Sequence, residues 1–134
     1  MSETLMTERG TTDPATLVDT HLAAYCEPDT AKRAELVAGV WAPDGELLDP
    51  PLVASGRDEL IAIADVVLTH YPDHRFRRTS GCDEHHGFVR YEWELVAPDG
   101  SVAVGGTDVV QLSVDGRIAR IVGFFGPVPP LAAG

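Results

Sequence analysis

Cysteine is scarce in this chain of 134 residues: Cys26 and Cys82 are its two thiols. They are too few and too far apart for a disulfide framework or a zinc ribbon, and Cys26, following an apolar stretch, reads as a small buried hydrophobe. Basic side chains are scarce as well. Ten Lys and Arg stand against 21 Asp and Glu, a formal net charge of −11. Phosphate backbones and anionic membranes would be repelled at long range, which argues against nucleic acid and membrane partners. No apolar run approaches the roughly 18 residues of a membrane span. The opening ten residues, MSETLMTERG, lack both a basic start and an apolar run. No signal peptide is expected from them, and the expectation is a cytoplasmic protein with a flexible tail over residues 1–13. Phosphate loops, Gly-x-Ser-x-Gly elbows and Walker-like motifs are all missing. The run Asp83-Glu84-His85-His86 has a metal-binding composition, but neighbours on a strand point to opposite faces, so no metal is expected there.

What is present is one domain's worth of alternating structural signals. Asp13-Pro14 is a helix entry, and Leu17, Val18, His21, Leu22 and Tyr25 recur at helical spacing, so a helix is expected over 14–26. Thr30 can open a second helix ending near Trp41. After the turn Ala42-Pro43-Asp44-Gly45 comes a short strand, Glu46–Asp49, stopped by Pro50-Pro51. A third helix spans Arg57–Tyr71. The period then changes to two, giving strands over His74–Cys82, Gly87–Ala97, Ser101–Val114 and Arg117–Phe125. Gly105-Gly106 within the long strand reads as a sharp bend. Helices followed by a meander imply α+β: a cone-shaped, curved antiparallel sheet on three N-terminal helices, enclosing a pocket. The domain is expected over 14–126, with a Pro-rich tail at 127–134.

Three polar residues fall on apolar faces. Asp49 ends the first strand beside Leu47 and Leu48. Asp108 shares a strand face with Val104, Gly106, Val110 and Leu112, and His21 lies on the stripe of the first helix. An unpaired carboxylate in such a place costs several kcal/mol, so it is paired, wetted or protonated, and its pKa shifts. Shifted groups suit acid–base work.

The segment Ala-Pro-Asp-Gly-Glu-Leu-Leu-Asp-Pro (42–50), with Gly-Thr-Asp-Val-Val-Gln-Leu (106–112) and Asp-Gly-Arg-Ile (115–118), resembles the bacterial ketosteroid isomerases. Those belong to the nuclear transport factor 2-like superfamily, with the SnoaL-like cyclases and the limonene epoxide hydrolases. The resemblance implies a cystatin-like roll and cofactor-independent isomerisation, cyclisation or dehydration of a small apolar or polyketide-like molecule. It makes Asp49 the general base and Asp108 a neutral acid donating a hydrogen bond to an enolate oxygen, the arrangement known from ketosteroid isomerase itself. Phe125, Trp93, Tyr91, Tyr25 and Val110 would line the substrate pocket. Two family tyrosines are replaced, by His21 and by Ala64. His21 and Asp108 could share one proton in either of two ways, as imidazole with carboxylic acid or as imidazolium with carboxylate. By analogy the chain would form a homodimer through the outer sheet face, where Val109, Val122 and Phe124 lie. The alternatives are a ligand-binding or dimerisation module of the same fold, and an epoxide hydrolase-like activity.

Overall fold

A computed structural model describes residues 13–132 of the chain; most of the expected N-terminal tail lies outside them. The first helix, α1 (Pro14–Ala24), starts where its sequence requires. Asp13 accepts from the Thr16 amide at 3.1 Å, and Pro14 occupies the first turn, where no amide is needed. Helix α2 (Thr30–Val40) is capped by Asp29 rather than Thr30; its carboxylate takes the Ala31 and Lys32 amides. Helix α3 (Arg57–His70) has Gly56 at its entry and Asp58 and Glu59 in its first turn, where negative charge meets the positive end of the helix dipole. It stops before Tyr71-Pro72.

Among the described residues seven strands form one sheet: β1 (Trp41–Leu48), β2 (Val53–Ser55), β3 (Arg75–Arg78), β4 (Asp83–His85), β5 (Phe88–Val96), β6 (Val102–Leu112) and β7 (Ile118–Phe125). Their order is β2-β1-β7-β6-β5-β3, with β4 also paired to β5. The α+β class holds, but the cone-shaped, wholly antiparallel sheet does not. The sheet is open and mixed, with β2 and β3 at its edges and β1 running parallel to β7. The predicted bend at Gly105-Gly106 is also absent as a break: pairing with β5 runs unbroken from Phe88↔Gln111 to Leu95↔Val104. Gly106 answers a packing need instead. A Cβ there would strike the Phe124 carbonyl and lie 2.7 Å from the Trp93 ring.

The expected turn at 42–45 is drawn into β1, whose pairing with β7 jumps from Trp41↔Ile118 to Glu46↔Arg120. Of the strand expected over His74–Cys82 only β3 forms, and β4 begins just beyond its end, in residues read from the sequence as a turn; both are antiparallel to β5. The helices cover one sheet face, and the core between them contains Leu17, Val18, Val37, Leu47, Leu60 and Ile121. On the other face Val109 and Phe124 are exposed. Cys26 and Cys82 are both free.

Candidate active site

Cross-strand register builds the site. Tyr91 on β5, Asp108 on β6 and Gly123 on β7 are direct neighbours in one row across the sheet. Beyond β7 lies the end of β1, where Leu48 pairs with Val122. The next residue, Asp49, is fixed by a tight turn in which its amide donates to the Leu52 carbonyl at 2.9 Å, with the reverse bond at 3.2 Å. Gly123 contributes no side chain, and the two acids occupy the space that one would fill. A Cβ placed on Gly123 would collide with Asp49 Oδ1 and come within 2.9 Å of Asp108 Oδ1. Two carboxyl groups from distant parts of the chain thus meet over one glycine.

Their surroundings differ. Asp108 is buried and both of its oxygens are used: Tyr91 Oη donates to Oδ2 at 2.6 Å and Trp93 Nε1 to Oδ1 at 3.1 Å. Burial pushes its pKa up to about 6, while the two donors pull the other way by stabilising the anion. Asp49 has a buried Oδ1 with no hydrogen-bond partner. Burial, and then the charge of Asp108, push it up to about 7. The two acids form a coupled pair in which Asp108 is the better carriage for the charge and Asp49 for the proton.

His21 is fully buried and its Nδ1 is unpartnered. Burial drives its pKa down to about 3, so the ring is neutral at physiological pH. Among the described residues no hydrogen bond joins His21 to Asp108, which accepts from Tyr91 and Trp93. His21 instead stands edge-on to Tyr25, ring centroids 4.7 Å apart, and to Trp41 at 5.6 Å.

A cavity of about 280 Å³ lies between the helices and the sheet. Asp49, Asp108, His21, Tyr25, Trp93 and Phe125 all line it. Two of the residues expected there do not. Val110, two residues along from Asp108 on the same face, is packed into the core, and Tyr91 stands behind Asp108 as its donor. The residues missed in the sequence come chiefly from α3 and the segment after it: Ile63, Val67, Tyr71 and Phe76. The apolar stripe of α3 signals burial, but it does not distinguish a core wall from a cavity wall. Tyr25, Phe76, Trp93 and Phe125 form a chain of rings, with successive centroids 5.7, 5.4 and 5.5 Å apart. The Tyr25 hydroxyl, like His21 Nδ1, is buried without a partner.

The profile of the SnoaL-like domain matches residues 22–121. A proposed isomerase of the SnoaL-like family from Agrobacterium tumefaciens str. C58 is 36% identical. Its structure superposes with a TM-score of 0.79 over 84% of this chain and 97% of that one. A protein with a ketosteroid isomerase-like fold from Catenulispora acidiphila DSM 44928, solved in complex with trimethylamine, is 14% identical with a TM-score of 0.65, over 84% of this chain and 85% of that one. A proposed SnoaL-like polyketide cyclase from Jannaschia sp. CCS1 is 17% identical with a TM-score of 0.60, over 86% and 90% of the two chains. The last two are likenesses of fold. No curated protein sequence matches the chain.

Proposed function

The chain belongs to the SnoaL-like family of the nuclear transport factor 2-like superfamily, and from that premise we propose that its cavity is the active site of a cofactor-independent enzyme. The reaction moves a proton on a small apolar molecule, as an isomerase, cyclase or dehydratase does. The observation that supports this reading is the meeting of Asp49 and Asp108 over Gly123, inside an apolar cavity. An acid with a pKa near 7 is matched to taking a proton from carbon and returning it at neutral pH. Asp49 is that group. Asp108, held by Tyr91 and Trp93, keeps the negative charge and thereby raises the basicity of its neighbour. This inverts part of the role the resemblance gave Asp108, because two donors directed at a carboxyl group favour its ionised form. Tyr25 and His21, on the cavity wall with polar atoms that have no partner, would bond a substrate oxygen. The Catenulispora protein, which shares the fold, holds trimethylamine, so small molecules are within the fold's range.

The reaction class is testable without the natural substrate. Small cyclic ketones incubated with the protein in D₂O should gain deuterium next to the carbonyl, followed by NMR. Asp49→Asn should slow that exchange by about a hundredfold or more, the scale of a lost general base. Exchange at an unchanged rate in Asp49→Asn would remove the proton-transfer reading. Ligand binding without exchange or conversion would favour a binding module instead.

A further inference from the structure

Among the described residues, the cavity is lined by two carboxyl groups, Asp49 and Asp108, and by no Lys or Arg that would let both ionise. The arginines that could have answered them are tied elsewhere: Arg33 to Asp65 and the Glu27 carbonyl, Arg57 to the Trp41 and Ala38 carbonyls, Arg78 to Asp19, and Arg120 to Glu46. His21, the imidazole deepest in the wall, is neutral. An anionic ligand would face two acids in a medium that screens poorly, so carboxylates and phosphates are excluded.

Three further observations point to what does fit. Aromatic rings supply much of the wall: Tyr25, Tyr71, Phe76, Trp93 and Phe125. The faces of such rings attract a cation, more strongly where water is excluded. Asp49 Oδ1, the Tyr25 hydroxyl and His21 Nδ1 are buried without partners, and their side chains line this same cavity. His21 is 1% exposed and Tyr25 8%, so bulk water does not serve them. Finally, the chain as a whole carries −11, which draws cations and repels anions at long range.

We propose that the molecule this cavity takes is a compact, largely hydrocarbon amine, bound as its ammonium ion among the aromatic rings and against the Asp49–Asp108 pair. The inference rests on the cavity being the working site and narrows its substrate to cationic molecules. The ammonium supplies the missing counter-charge, and the hydrocarbon meets the rings. The orphaned Tyr25 hydroxyl and His21 Nδ1 remain for a second polar group on the same molecule. A neutral ketone would use the orphaned donors but leave the acid pair without a counter-ion.

Charge can be isolated with two probes of equal heavy-atom count, N,N-dimethylcyclohexylamine and cyclohexyl methyl ketone, by calorimetry with the full chain. The amine should bind at least about tenfold more tightly at about pH 8. Its advantage should shrink toward about pH 5, because the cation favours ionised acids and must expel their protons. The other titratable groups around the pair are His21 and Tyr25 on α1, His70 on α3, Tyr71 after it, and Tyr91 on β5. Repeating the titration in buffers of different ionisation enthalpy counts the protons released. Asp108→Asn should weaken the amine and leave the ketone nearly untouched. Asp49→Asn, which disturbs no side-chain hydrogen bond, should do the same and guards against misfolding of the first variant. Equal affinity for the two probes at about pH 8, or an amine affinity that does not change with pH, would overturn the proposal. That result would leave proton transfer standing if the ketone still exchanges deuterium. Conversely, tight amine binding with exchange unaffected in Asp49→Asn would remove the catalytic reading alone.

Discussion

Gly123 is the residue on which the acid pair depends, although it has no side chain to contribute. Any Cβ at this position would occupy the space now held by Asp49 Oδ1 and press on Asp108 Oδ1. Contacts under 3 Å between heavy atoms of this kind force movement, and the mobile parts here are the carboxyl groups. Gly123→Ala should therefore push the acids apart and let water between them. The Asp108 charge then acts less on Asp49, whose pKa should fall from about 7 toward the ordinary 3.8. Carbon-detected NMR titration of the aspartate carboxyls reads this directly. Gly39→Ala, where an added Cβ meets nothing within 4 Å, is the matching control. An Asp49 titration unchanged in Gly123→Ala would show that the glycine does not hold the pair together. The acids themselves were legible in the sequence, because a carboxyl group on an apolar face is anomalous without any structure. Gly123 was not. Its role depends on lying next to Asp108 across β6 and β7 and next to Asp49 across β7 and β1, and one-dimensional spacing records neither.

Strand β5 sets the ionisation of the site, with Trp93 on the cavity wall and Tyr91 behind Asp108. Its inward residues alternate as Val89, Tyr91, Trp93 and Leu95, and pairing with β6 places Tyr91 directly beside Asp108. The sequence showed that Tyr91 and Trp93 face the same way. It did not show that their hydroxyl and indole N–H converge on one carboxyl group, because that requires the register of two strands. Tyr91→Phe keeps the ring and removes one donor. Asp108 should then titrate above its present value of about 6, since a hydrogen bond that favours the anion is gone. A carboxyl titration that stays in place or moves downward would contradict this account. The same distinction explains which elements could be read in advance. Helix α1, with Asp13 and Pro14 at its start, and strands β5 to β7, with period-two alternation, are written in local spacing. The parallel pairing of β1 with β7 joins segments about 75 residues apart, and no local signal encodes it. Edge strand β2, three residues between Pro51 and Gly56, is too short to show a period. The glycine pair in β6 suggests a bend by local spacing, whereas the close approach of Trp93 to Gly106 depends on the neighbouring strand and is invisible in that spacing.

For the whole molecule, the buried titratable groups make stability depend on pH in two opposed ways. Asp49 and Asp108 have folded pKa values of about 7 and about 6, above the 3.8 of the unfolded chain. Between these limits the folded state holds protons that the unfolded state has released, so their contribution to stability falls as pH rises. His21 runs the other way. Its folded pKa of about 3 lies below the unfolded 6.5, so within that window the unfolded state holds the extra proton and stability rises with pH. Two acids outweigh one histidine between about pH 4 and about pH 6, where all three windows overlap. The wild-type protein should lose thermal stability as pH rises through that range, contrary to the usual behaviour of salt-bridged carboxylates. Replacing both acids, Asp49→Asn with Asp108→Asn, leaves His21 as the remaining buried group with a displaced pKa in this window, and the slope should reverse. Asparagine suits the second position because its carbonyl can accept from Trp93 while its amide donates to the Tyr91 oxygen. Melting temperatures of the two proteins, measured at intervals across the range, should therefore cross or converge on one side and separate on the other, with the variant gaining most at high pH. Parallel curves would mean that the acid pair carries no extra protons in the folded state, and the neutral-pH proton carrier assigned to Asp49 would go with it.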